Sequence, residues 1–183
     1  MEAFQEGCAL ALALLFGYAA ASKLPRVGVF AEEIAEYRLI AYSASRPAAW
    51  LVVSAEALAV GALILPATRP LGGLLAGGLA VVFLLAIGAA LARGLHPPCG
   101  CMGSTAGEPP IGLATLVRSG MILAGALMAA TASNRGLHAE AVVYAVLLLI
   151  AGSMITNSIR LLTSLWLELP GTRRELVGLD EEM

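Results

Sequence analysis

Two cysteines separated by one glycine, Cys99-Gly100-Cys101, sit in the segment Arg93-Gly94-Leu95-His96-Pro97-Pro98-Cys99-Gly100-Cys101-Met102-Gly103-Ser104. Proline fixes φ and lacks a backbone donor, so Pro97 and Pro98 should stiffen the approach and stop a preceding helix. Gly100 and Gly103 permit backbone angles that other residues resist. A Cys-x-Cys pair supports two chemistries. It can close a small-ring disulfide, which is strained and therefore more oxidising than a relaxed structural bond. It can also present two thiolates to a soft metal ion such as Cu(I), Zn(II) or Hg(II). Two thiolates are half of a closed tetrahedral zinc site, and His96 is the nearby residue able to add a ligand. A plainer alternative is a pair of inert thiols in a tight turn. Inert thiols are usually buried, however, and a loop rich in Pro and Gly argues for reactivity. Arg93 and His96 are the neighbouring groups able to favour a thiolate.

The elements that must carry this loop are membrane helices. Of 183 residues, 59% are hydrophobic and 13% charged, against about 25% charged in a typical soluble domain. The mean hydropathy is +0.85, more apolar surface than a soluble chain of this size can hide from water. That excludes a disordered chain, a disulfide-dense secreted mini-protein and an ordinary cytosolic enzyme. The formal net charge is −2 with no basic block, so a nucleic-acid partner has no electrostatic footprint. Twenty glycines suit helices whose backbones approach closely in lipid. The apolar runs are continuous rather than alternating, which argues against a transmembrane β-barrel.

Five segments, at about 7–22, 47–68, 70–92, 111–132 and 141–166, approach the roughly 20 apolar residues that a bilayer core requires. The first is short, and Lys23 at its end can snorkel to the interface. It is a helix rather than a signal peptide, since Glu2 and Glu6 replace the positive n-region. Cys8 opens it as a small apolar filler, on the face opposite Cys99 and Cys101. Between the first two spans, Phe30, Ile34, Tyr37 and Ala41 recur at helical spacing with Glu32, Glu33 and Glu36 opposite. This predicts an interfacial amphipathic helix over about 27–42, either a connector packed on the bundle or a lid. Residues 1–170 are expected to form one transmembrane domain, and the charged stretch 171–183 a solvated tail.

Glu56 falls near the middle of the second span, where a carboxylate is costly unless protonated or paired. Its candidate partners are Lys23, Arg118, Tyr18 and Ser119. Such a pair either fixes helix register or handles protons. Across five crossings, Lys23, Arg26, Arg38, Arg46, Arg93, Arg118, Arg160, Arg173 and Arg174 fall on one side, against Arg69 and Arg135 on the other. The positive-inside rule then places the cysteine loop in the cytoplasm.

Several of these residues together resemble the MauE branch of the DoxX-like integral membrane proteins. They are Gly17, Ser22-Lys23-Leu24, Phe30, Ile34, Tyr37-Arg38-Leu39, Glu56, Gly61, Arg93-Gly94, Ile111, Leu116, Arg118 and Leu123. The most specific part, Cys99-Gly100-Cys101-Met102-Gly103, is similar to the family's CGCFG signature, with Met102 in place of Phe. Ser119 stands where Asn commonly follows the Arg. The resemblance implies an all-α bundle on four core helices and a redox-associated role. That role lies in maturation or export of the disulfide-rich small subunit of methylamine dehydrogenase, beside thioredoxin-like proteins. A role with exported disulfides would place the cysteines outside, against the charge count.

The expectation is thus a polytopic all-α protein of the bacterial cytoplasmic membrane: a four-helix core, a fifth span and an interfacial helix. Cys99 and Cys101 would exchange with a thioredoxin-like or disulfide-containing partner, supported by Arg93, His96, Gly100, Gly103, Glu56, Lys23 and Arg118. No cofactor is required. The alternatives are a soft-metal transporter or metallochaperone using Cys99, Cys101 and His96, and a non-catalytic scaffold for a thioredoxin-like partner.

Overall fold

A computed structural model describes residues 1–95, 97, 111–132 and 139–181, the last stretch with side chains between 140 and 162. Its helices are α1 (Glu2–Lys23), α2 (Val27–Glu36), α3 (Tyr42–Ile64), α4 (Arg69–Ala92), α5 (Leu113–Ala130) and α6 (Ala139–Glu181). Short 3₁₀ turns at Leu24–Arg26 and Pro66–Thr68 join α1 to α2 and α3 to α4. Among the described residues, five helical stretches are long and apolar enough to cross a membrane; they begin with α1, α3, α4, α5 and α6. The chain is a multi-pass, all-helical membrane protein.

Packing closes a four-helix ring. Helix α1 packs on α3, α3 on α4, α4 on α5, and α5 returns to α1. Helix α6 lies outside against α1 and α5, and α2 packs on α3. The interior is built from small residues: Ala49, Ala59, Ala76, Ala126 and Ala129 are fully buried, while Leu51, Leu58, Leu74, Val82 and Leu85 are exposed. In lipid, large apolar side chains lose nothing by facing outward, and small ones let backbones meet. A core of Leu12, Phe16, Leu63, Ala76, Leu79, Ala126 and Ala129 fills the middle of the ring.

Close approach is tightest where α1, α4 and α6 begin. A Cβ at Gly72 would stand 2.6 Å from the Leu63 nitrogen, and one at Gly73 would stand 2.5 Å from the Ala130 nitrogen. One at Gly7 would meet the Tyr144 Cβ at 2.6 Å. These contacts draw α4 onto α3 and α5, and α6 onto α1. Helix α3 ends where Pro66 removes a donor, and the Thr68 hydroxyl donates to the freed Ala62 carbonyl at 3.1 Å.

One local expectation changes. Glu33 does not lie opposite the apolar stripe of α2; it is buried at 7% exposure with Val27, Phe30 and Ala31. Three residues on from Phe30, it falls on the same helical face. Helix α2 lays Val27, Phe30 and Ala31 against Ala49 and Val53 of α3.

Gly73→Ala should destabilise the bundle by about 1–3 kcal/mol, because backbone rather than a movable side chain receives the methyl group. Gly78→Ala, with no atom within 4 Å, should be neutral or slightly stabilising. Unfolding midpoints in mixed detergent micelles check both.

Candidate functional site

The end of the bundle that carries the cysteine loop is built from three helix termini. Helix α4 stops at Ala92 because Gly94 takes a left-handed φ of 70°. The Gly94 N–H donates to the Leu91 carbonyl and the Leu95 N–H to the Ala90 carbonyl, each at 2.9 Å. This Schellman arrangement satisfies carbonyls the helix end would otherwise orphan. The helix therefore ends five residues before Pro97, stopped by the glycine rather than by the prolines.

Helix α2 also ends at a left-handed residue, here without a glycine. Arg38 adopts φ 51°, a conformation that costs a non-glycine residue roughly 1–2 kcal/mol. Its N–H donates to the Ala35 carbonyl at 2.9 Å. Arg93 Nη1 donates to the Arg38 carbonyl at 3.0 Å, so the two helix ends are fastened together. Tyr37, Ile87, Ala90 and Ile111 pack beneath them with Leu95 against their edge. The Ile111 N–H donates to the Pro97 carbonyl at 3.0 Å. Pro97 and Ile111, which flank residues 98–110 in the sequence, are thus held together beside the joined ends of α2 and α4, a clamp of Arg38, Arg93, Pro97 and Ile111. His96, Cys99, Gly100, Cys101 and Gly103 lie outside the described residues. Among the described residues, no group of three His, Cys, Asp or Glu side chains could hold a metal ion. Beside the clamp, Glu32, Glu36, Arg38, Tyr42 and Pro97 line an open groove.

Beneath the clamp lies a buried ion pair. Lys23 Nζ donates to Glu56 Oε1, and both residues are 1% exposed. Lys23 does not snorkel outward, because α1 continues through the 3₁₀ turn into α2 and Phe30 covers the ammonium. The Nζ lies 4.8 Å from the Phe30 ring centroid and 5.5 Å from that of Phe83, both within cation–π range. Helices α1, α2, α3 and α4 all contribute to holding one cation. Arg118, Ser119 and Thr115 of α5 join Lys23 and Glu56 around a cavity of about 30 Å³. Of the four partners considered for Glu56, Lys23 bonds directly, Arg118 and Ser119 share the cavity, and Tyr18 is 59% exposed.

Reading the residues alone missed a second buried pair at the opposite end. Arg69 Nη1 lies 3.7 Å from Glu6 Oε1, with both side chains 1% exposed. Both charges flank apolar runs and pass for interface residues. The usable signal was Gly7 beside Glu6 and Gly72-Gly73 beside Arg69, glycines that bring neighbouring helices close enough to enclose the pair. Cys8 is buried at this end.

Replacing Lys23 by Met or Glu56 by Leu alone should cost about 3–5 kcal/mol, since each leaves a buried charge without its counter-ion. The double variant Lys23→Met/Glu56→Leu should recover most of that loss. A double-mutant cycle on denaturation in detergent measures the coupling.

Compared with protein-family models, the chain matches the methylamine utilisation protein MauE over residues 1–132. No curated protein and no solved structure matches it significantly. The match runs from the first residue of the chain to two residues past the end of α5, so it takes in the whole four-helix ring, α2 and the cysteine loop. The chain belongs to the methylamine utilisation protein MauE family.

Proposed function

We propose that this protein serves the maturation of a disulfide-containing partner by thiol–disulfide exchange at Cys99 and Cys101, in the bacterial cytoplasmic membrane. The observation that carries the reading is the clamp formed by Arg93, Arg38, Pro97 and Ile111. It fastens both ends of the segment holding the two cysteines to a rigid bundle end. A reactive pair gains from such an anchor, because exchange requires three sulfurs to approach in line and a fixed base removes much of the orientational cost. Family membership supplies the setting of methylamine utilisation.

In the exchange, the thiolate of one cysteine attacks a partner disulfide. A mixed S–S bond forms, and the partner's second sulfur leaves as a thiolate and takes up a proton. The other cysteine, once deprotonated, attacks the mixed disulfide, closes the Cys99–Cys101 bond and releases the partner as a dithiol. Two electrons and two protons pass from the pair to the partner, and the reverse sequence oxidises a dithiol partner. The Arg93 guanidinium, anchored at the base of the loop, favours the thiolate over the thiol. A thioredoxin-like protein is the partner class that fits this exchange.

Cys101→Ser should accumulate a mixed disulfide between Cys99 and the partner, visible on non-reducing gels and absent from the Cys99→Ser/Cys101→Ser protein. Absence of any adduct from either single variant, with partner redox state unchanged in the double variant, would overturn the reading.

A further inference from the structure

The cavity beneath the clamp combines an apolar wall with a polar floor. Phe16, Ala19, Ala80, Phe83 and Ile122 supply the wall, and Lys23, Glu56, Thr115, Arg118 and Ser119 the polar groups. One oxygen of Glu56 accepts from Lys23. The other, Oε2, is fully buried and has no hydrogen-bond partner among the described residues. A buried carboxylate oxygen left in that state is costly, and native structures almost always satisfy such atoms with protein or ordered water. The volume of about 30 Å³ admits one or two water molecules, each of which needs two to four polar partners. Oε2 requires a donor. The Thr115 and Ser119 hydroxyls can donate or accept, and the Arg118 guanidinium donates only. A molecule that both donates to the carboxylate and accepts from the guanidinium or a hydroxyl completes the set, and at this size that molecule is water.

The cavity lies near the clamp end. Arg118 is half-buried and lies only about 8 Å along α5 from its first residue, Leu113, at 1.5 Å per residue. Leu113 follows closely on Ile111 of the clamp. Toward the opposite end, Leu12, Leu63, Ala76, Ala126 and Ala129 form a continuous apolar core.

We propose that this cavity is a water-binding site, in which water drawn from the clamp end bridges Glu56 Oε2 to Arg118. The bridge gives two cations one carboxylate to share without bringing them into contact, and it ties α5 to α1 and α3. The inference does not depend on the thiol chemistry of the loop.

Radiolytic hydroxyl-radical footprinting tests it on the full chain in lipid nanodiscs, because radicals born from bound water oxidise the side chains beside it. After correction for intrinsic reactivity, Phe16 and Ile122 at the cavity should be oxidised, while Leu12 and Leu63 of the apolar core stay silent. Ser119→Leu, which fills the cavity, should abolish the Phe16 signal, and Ala80→Val provides a second filling variant should that protein not fold. Arg118→Leu should reduce the signal. Phe16 as silent as Leu12, or oxidation that persists when the cavity is filled, would overturn the site; oxidation unchanged in Arg118→Leu would overturn the bridge.

Discussion

An ammonium and a carboxylate enclosed in a membrane bundle must find each other. Removing either charge from water costs several kcal/mol after relaxation, and only close pairing offsets it. Lys23 at the end of α1 and Glu56 in the middle of α3 therefore fix the register between those helices. Phe30 of α2 and Phe83 of α4 stack on the same ammonium, and α5 encloses the remaining side of the pair with Thr115, Arg118 and Ser119. Alanines and glycines let the helices approach but discriminate poorly between registers. The ion pair adds that discrimination. Apolar residues of similar volume could hold these helices as firmly, so the pair contributes specificity of arrangement more than strength.

Five spans were legible because lipid leaves a long apolar run few options besides helix. Glu56 was legible for the same reason, as the one carboxylate inside such a run. The direction of Lys23 was not. A lysine ending an apolar segment looks free to reach water, and only the turn into α2 and the cover by Phe30 turn it inward. Glu6 and Arg69 failed similarly, since a charge flanking a span carries no mark of enclosure. The two prolines after Leu95 masked Gly94, yet glycine's tolerance of a positive φ ended the helix first. The cysteine pair rests on its spacing in the sequence, whereas the Pro97–Ile111 hydrogen bond joins residues too far apart for any local pattern to reveal.

The molecule has two unlike ends. Where α1, α4 and α6 begin, glycines press the helices together around Glu6 and Arg69. At the other end, α2 and α4 finish in two left-handed turns fastened by Arg93. Lys23 and Arg69 are buried cations, one toward each end. The family match stops within two residues of the end of α5; α6 lies beyond it and leaves Val143, Leu147, Ile150 and Met154 exposed.

The central claim is that Cys99 and Cys101 act as one redox couple on a rigid base. Differential alkylation of the full-length protein, equilibrated across a series of dithiol–disulfide buffers and read by mass spectrometry of the peptide spanning Arg93 to Arg118, tests it directly. The account predicts that both cysteines change together, in a single two-electron transition between dithiol and Cys99–Cys101 disulfide, while buried Cys8 stays reduced throughout. Two thiols that alkylate independently at every potential, with no disulfide formed between them, would contradict it.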